Sequence, residues 1–205
     1  MTSRSQARRL FEATLGNPKL YDYAQRRLSG LSELRSRVGR NSGDFRGRVL
    51  DIGAGTGNFA DVFPADAQYV ATDADPAKIE RFRMKYPQSE AHVVDGTRLP
   101  FEDGSCEHSV CIDVSHHLTD HELERLLAEA ARVTRKSFLF VDALWVHNSL
   151  VSKALWSVDR GRHPRPRAEV ISAIARHFHI EHTEDFRLTH TYLLVRARPS
   201  DGQER

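Results

Sequence analysis

The sequence predicts an α/β fold: a doubly wound, mostly parallel seven-stranded sheet, with an antiparallel C-terminal hairpin and an N-terminal helical cap. Three observations lead there. Short aliphatic runs alternate with amphipathic helical stretches from Gly47 to Asp142, the pattern of strand–helix units that build a parallel sheet covered on both faces. The first of those runs enters a glycine-rich turn directly, RVLDIGAGTGNFA at 48–60, which is how such a sheet brings backbone close to a nucleotide. The last two extended runs, 180–186 and 191–197, are close enough to pair as a hairpin.

Each element has a local reason. Residues 3–15 and 18–38 read as helices; Asn17 and Pro18 supply a cap and a first-turn proline for the second. Leu20, Ala24, Leu28, Leu31 and Leu34 give it one apolar stripe. The polar breaker GRNSG at 39–43 divides a helical cap, 1–43, from the main domain, 44–199, which leaves a tail of 200–205. Strands are expected at 49–52, 69–72, 91–94, 109–114 and 138–141, with a short helix from Asn58. Asp75 and Pro76 cap and start a helix with Ile79, Phe82 and Tyr86 inward. Thr119 and Glu122 form a capping box before Leu123, Leu126, Leu127 and Ala130. A last helix is expected at 167–177.

Composition narrows the classes. Thirty basic and 28 acidic residues leave a net charge of +2, so bulk charge does not point to a nucleic-acid protein. Two cysteines do not make a disulfide framework, and a reducing, cytoplasmic setting is expected. No apolar run reaches the roughly 18 residues that span a bilayer, and the arginine-bearing N-terminus lacks the apolar core of a secretory signal. Neither oligomeric state nor pathway is legible.

The carboxylates at strand ends carry the chemistry. Asp73, Asp95, Asp113 and Asp142 all fall at or just past expected strand ends, where a ligand sits in an open parallel sheet. Asp is also common there as a cap or turn residue, and Asp142 is read that way. Asp73 lies 20 residues after Gly53, the spacing at which a carboxylate reaches ribose hydroxyls. A pyrophosphate-binding fingerprint requires G-x-G-x-x-G, but here Gly53, Gly55 and Gly57 alternate and Asn58 takes the third glycine's place. Asp51, two residues before the first glycine, would repel phosphate. A ligand with a cationic amino group and no pyrophosphate, such as S-adenosylmethionine, meets both conditions.

At this point the chain resembles the class I S-adenosylmethionine-dependent methyltransferases, which are Rossmann-like. VLDIGAGTG at 49–57 is similar to their first motif and ATDAD at 71–75 to their second. VVDGTRLPFEDGS from Val93 resembles their adenine-side run, VSHHL at 114–118 the His-His-Leu segment of the small-molecule branch, and ARVTRKSFLFVD the run into the fifth strand. The resemblance covers 48–142. It implies that Asp73 binds the ribose beside Ala74, and that Asp95 with Gly96 and Thr97 meets the adenine. Asp51, Gly53, Ala54, Gly55 and Gly57 of the turn, and Asp113 after the fourth strand, complete the expected cofactor site. Two departures are local: Cys106 and Glu107 replace the usual Phe-Asp, and Thr134, Arg135 and Lys136 replace a glycine turn.

Transfer from a sulfonium requires a nucleophile held in line, about 3 Å from the methyl carbon, and in some cases a base. His116 and His117 lie just past the fourth strand, and a neutral imidazole suits that role; the alternative for each is loop capping or packing. With Asp120 and His121 they supply metal-ligating types, but spacing alone does not make a metal site and none is expected. Tyr21 and Tyr23 of the cap, and Arg160 and Arg162 of DRGRHPRPR at 159–167, are candidates for the acceptor pocket; simple packing and a solvated basic loop are the plain alternatives. The function expected is methyl transfer to a small-molecule acceptor, anionic or hydroxylated. The alternatives are an RNA or protein methyltransferase, or a non-catalytic cofactor-binding regulator. The basic run is short and lacks interleaved aromatics, so nucleic acid is the less favoured partner. Trp145 and Trp156 are read as pocket wall or core, and Cys106 and Cys111 as packing.

Overall fold

Residues 30–146, 152, 156 and 162–200 are described by the computed structural model of the protein. The expected helix at 3–15, most of the one at 18–38, Tyr21, Tyr23, Arg160 and the tail from 201 lie outside the described residues.

In chain order the elements are α1 (Leu31–Asn41), β1 (Gly47–Ile52), β2 (Ala67–Asp73), α2 (Pro76–Lys85), β3 (Glu90–Val93) and β4 (Cys106–Ile112). A 3-10 turn (Ser115–His117) follows, then α3 (Asp120–Val133), β5 (Thr134–Leu144), α4 (Arg167–Ala175), β6 (Phe178–Arg187) and β7 (Thr191–Pro199). The seven strands form one sheet in the order β3-β2-β1-β4-β5-β7-β6. The pairs from β3 to β5 are parallel, and β7 runs antiparallel to both β5 and β6. The sheet reverses its winding between β1 and β4, and that switch point opens a crevice at the carboxyl ends of the strands.

Alternation along the central strands sends side chains to two apolar layers. Leu50, Ile52, Phe138 and Phe140 pack with Leu123, Leu126 and Leu127 of α3 and Ile174 of α4. Val49, Val110, Leu139 and Val141 face the other way, onto Leu34 and Val38 of α1 and onto Phe45, Phe59 and Phe63. The helix α1 therefore shares its core with the sheet. Among the described residues no helix is long and apolar enough to cross a membrane.

Three local expectations are corrected. The helix expected to run through from 18 to 38 begins, among the described residues, at Leu31 behind Gly30, whose φ of 68° is left-handed. It then continues through Gly39 and Arg40 of the supposed breaker to Asn41, because Asn41 and Ser42 bond back to the carbonyls of Arg37 and Val38. No helix follows Asn58. Two turns take its place, closed by the Val62 and Ala67 amides to the carbonyls of Phe59 and Pro64. The chain must return to the bottom of the sheet by Ala67, and Pro64 lacks the N–H a helix needs. Phe59 and Phe63 still bury themselves as a helix face would. Finally, β5 starts where α3 ends, with no turn between: Thr134 Oγ1 donates to the Ala130 carbonyl at 2.6 Å.

Candidate active site at the carboxyl edge of the sheet

The glycine turn leaves β1 and folds back over β2. Amides of Gly53 and Ala54 both donate to the Thr72 carbonyl at 2.8 Å, and the Gly55 amide donates to Asp73 Oδ2 at 3.0 Å. Gly53 has φ 87°, and a Cβ there would meet Val114 Cγ2 at 2.4 Å, so only glycine fits. A Cβ on Gly55 would instead project into open space. Asp51, Gly53, Ala54, Gly55 and Asp113 line one cleft with Lys78 and with Leu31 of α1. A neighbouring hollow is lined by Val94, Asp95 and Leu99. Asp95 Oδ1 accepts from the Thr97 amide at 2.8 Å, and Gly96 leaves room for Ile52, whose Cγ2 would lie 2.8 Å from an added Cβ. Gly57 is turned away under α2, where its carbonyl accepts from the Tyr86 hydroxyl at 3.1 Å.

Asp73 is nearly buried and has both oxygens engaged. Oδ1 accepts from the Asp75 amide at 2.9 Å, and Oδ2 lies 3.4 Å from Lys78 Nζ. Beside it, Ala74 is exposed. Asp51 is fully buried and accepts a hydrogen bond from the Tyr69 hydroxyl. Its side chain does not hold the turn; Thr72 and Asp73 do. Burial pushes the Asp51 carboxyl up to about 7, with the Tyr69 bond acting against that and the charge of Asp73 adding to it. The same burial, with Asp51 alongside, raises the Tyr69 hydroxyl well above its ordinary value.

The sign of the resulting pH dependence is fixed. The folded chain binds the Asp51 proton more tightly than an unfolded one, whose carboxyl titrates near ~3.9. That contribution is complete below the unfolded value and is lost as pH rises through about 7. Urea unfolding across that window is expected to show stability falling by up to about 1.4 kcal/mol per pH unit from this group. Asp51→Asn, which stays neutral, is expected to flatten the slope. A variant with the wild-type slope would rule out the buried proton.

Past β4 the chain turns at Asp113, φ 57°, into the Ser115–His117 turn. His116 is buried and His117 exposed, their ring centroids 4.1 Å apart. His116 Nδ1 meets Asp142 Oδ1 at 2.5 Å, and the Ala143 amide donates to the same oxygen at 2.7 Å. Asp142 Oδ2 accepts from Ser115 Oγ at 2.5 Å and from the His116 amide at 3.2 Å. Burial pushes the Asp142 carboxyl up, but the charge and hydrogen bond of His116, with the bonds from Ser115 and Ala143, outweigh it and hold it below the usual carboxylate range. The reading of Asp142 as a cap or turn residue is thus corrected: it lies inside β5, which extends to Leu144, and it faces the histidine turn. In the sequence its one signal was that it interrupts an apolar strand, as Asp51 does. Trp156 stands edge-on to His116 at 5.7 Å and 4.7 Å from His190.

The basic segment divides. Arg162 is exposed, and Arg167 pairs with Asp185. Arg165, not singled out as a site residue, is buried against the carbonyls of Ser115 and Leu118 and against Asp120.

The cleft fits S-adenosylmethionine better than a dinucleotide. It offers open space over Gly55 and the carboxyl groups of Asp51 and Asp113 in its lining, while the amides of Gly53, Ala54 and Gly55 are spent on Thr72 and Asp73 and are not presented to a phosphate. The model of the methyltransferase domain family matches residues 50–141. An uncharacterized methyltransferase of Mycolicibacterium gilvum is 35% identical over 96 residues, covering 45% of this chain and 37% of its own length. The uncharacterized methyltransferase YcgJ of Bacillus subtilis is 30% identical over 125 residues, 57% of this chain and 49% of its own. The chain thus spans less than half the length of these relatives. The crystal structure of magnesium protoporphyrin IX methyltransferase from Synechocystis PCC 6803, with bound S-adenosylhomocysteine, superposes with a TM-score of 0.69 at 15% identity, covering 90% of this chain and 88% of that one. Over residues 50–141 the chain is thus similar to the methyltransferase domain family, and its fold is that of a class I S-adenosylmethionine-dependent methyltransferase.

Proposed function

We propose that the protein transfers the methyl group of S-adenosylmethionine to a hydroxyl of a small-molecule acceptor, with His116 as the base. The observation that carries this is the buried His116–Asp142 pair, three residues past the cleft-lining Asp113. When bound, the cofactor supplies an electrophilic methyl group on sulfur. In our reading Asp73 holds its ribose, Asp95 with Gly96 and Thr97 lies on the adenine side, and Asp51 and Asp113 face its cationic end. Asp142 accepts the Nδ1–H of His116 as a hydrogen bond, which holds the tautomer whose Nε2 lone pair can receive the acceptor's hydroxyl proton. His117, exposed beside it, contributes to the acceptor wall rather than to proton transfer.

Between the two acceptor chemistries the hydroxyl is favoured. Removing a proton is what an aspartate-held imidazole does, whereas the arginines described in the basic segment are exposed or already paired. The Synechocystis relative is named for a small-molecule acceptor, magnesium protoporphyrin IX. A cytoplasmic setting suits two buried, free cysteines.

Titration calorimetry is expected to show S-adenosylhomocysteine binding and little response to NAD. Labelled-methyl transfer should then be assayed against hydroxylated, carboxylated and amine-bearing small molecules and bulk RNA. Label on the hydroxylated compounds is the expected outcome. Label confined to RNA would overturn the acceptor class, and binding of NAD without S-adenosylhomocysteine would overturn the cofactor.

A further inference from the structure

Among the described residues of the basic segment, one arginine does not face solvent. Arg165 has a side-chain exposure of 6%, and its guanidinium is spent on the turn that carries His116. Nη1 donates to the Ser115 carbonyl at 2.8 Å and to the His163 carbonyl at 3.2 Å. Nη2 donates to the Leu118 carbonyl at 2.6 Å. Nε donates to Asp120 Oδ1 at 2.9 Å, and Nη2 approaches the same oxygen at 2.8 Å. Ser115 opens the 3-10 turn and Leu118 caps it, so one planar fork brackets both ends of the turn and the first residue of α3. The main chain repeats the tie: the His163 amide donates to the His116 carbonyl at 3.0 Å, and the Trp145 amide at the exit of β5 donates to the Arg165 carbonyl at 2.8 Å.

The turn is therefore held from two sides. Asp142 grips it from the sheet through Ser115 Oγ, the His116 amide and Nδ1. Residues 163–165 strap it from above. A 3-10 turn of three residues has few internal bonds, and carbonyls left unpaired in a buried place are unfavourable. Without the fork the Leu118 carbonyl loses the guanidinium, the Ser115 carbonyl is left with the Leu118 amide, and the turn can rotate. A lysine does not substitute, because an ammonium on a flexible stem cannot bracket two carbonyls and a carboxylate in one plane.

We infer that Arg165 is a positioning residue that fixes the His116 imidazole on Asp142, and so sets how the base meets the acceptor. This rests on reading His116 as the base. It makes residues 163–165 part of the catalytic geometry through one buried cation, without that cation touching the acceptor.

The test uses the full chain with histidine labelled by heavy nitrogen, together with the variants Arg165→Lys and Arg165→Ala. The His116 ring signal is assigned by its loss in His116→Gln. In Arg165→Lys the Nδ1 proton of His116 is expected to exchange with water at least about tenfold faster, by local opening of the turn. S-adenosylhomocysteine affinity by calorimetry should stay within about twofold, since the cleft is built elsewhere. Guanidinium ion added at millimolar concentration to Arg165→Ala is expected to restore the His116 signal in part. Unchanged His116 signals in Arg165→Lys would overturn the inference. So would a loss of S-adenosylhomocysteine affinity as large as the gain in exchange, because that is general collapse rather than positioning. If His116→Gln kept full methyl transfer, the assignment of the base would fall, while the histidine signals would still report the effect of Arg165 on the ring.

Discussion

Asp142→Asn is expected to lower methyl transfer to any acceptor that takes label by about 10²–10⁴, with S-adenosylhomocysteine affinity unchanged. The Asp142 carboxylate accepts from four donors: His116 Nδ1, the His116 amide, Ser115 Oγ and the Ala143 amide. An asparagine has one accepting oxygen and a donating NH2. If the oxygen stays on Nδ1, the NH2 faces the Ser115 hydroxyl, which can turn to accept, and the His116 amide, where donor meets donor. If the amide flips, Nδ1 becomes the acceptor and the ring proton moves to Nε2, where a base needs a lone pair. Either way the imidazole loses its alignment or its basic atom. One buried donor left without an acceptor costs about 1–3 kcal/mol, so the variant should fold with a lowered Tm. The check is kcat alongside calorimetry. Full turnover in a folded Asp142→Asn would show that the pair is structural only.

Asp73→Ala is expected to raise the Kd for S-adenosylhomocysteine by about 10²–10⁴, from two lost hydrogen bonds between a carboxylate and the ribose hydroxyls at about 1.5–3 kcal/mol each. The loss has a second part. Asp73 Oδ2 also anchors the Gly55 amide and Oδ1 the Asp75 amide, so alanine frees the glycine turn as well as removing the sugar contact. Asp73→Asn separates the two. It keeps one accepting oxygen, which can hold the turn, and is expected to fall between wild type and alanine. Calorimetry on both variants decides the matter. An alanine variant that binds as well as wild type would place the ribose elsewhere.

Much of this molecule could be read from local chemistry. The glycine turn, the Asp75 cap donated to by the Ala77 amide, and the Thr119–Glu122 capping box are short-range devices, and each stands where its residues put it. The C-terminal hairpin is similar: Phe186 faces Tyr192 across the turn, and the side-chain period sets the register. The short helix expected after Asn58 was misread because helical spacing of Phe59 and Phe63 is equally served by consecutive turns. What decided between them was the distance left to reach Ala67. Gly30 was misread because an apolar stripe through Leu28 and Leu31 ignores a residue with left-handed φ.

The site split along the same line. Asp73 could be singled out because it stands at a fixed count from the glycine turn along one strand–turn–strand unit, and the structure brings it back onto that turn through the Gly55 amide. Asp142 and Arg165 could not, because each acts across separate elements. Asp142 is 26 residues from His116 in sequence, and Arg165 is 50 from Ser115. In a run of four arginines nothing local marks Arg165 for burial; burial is set by what packs over it.

The sequence by itself determined that the sheet is mostly parallel, that a glycine turn follows β1, and that S-adenosylmethionine suits the chain better than a pyrophosphate ligand. Those properties rest on backbone freedom at glycine, side-chain period and the sign of a charge, all carried within a few residues. Only the tertiary structure decided that one of two adjacent histidines is buried on a carboxylate, and that an arginine from beyond β5 ties that turn down. Pairing of buried polar groups is a condition on the whole packed interior, and it is met by whichever strands and loops the fold brings together.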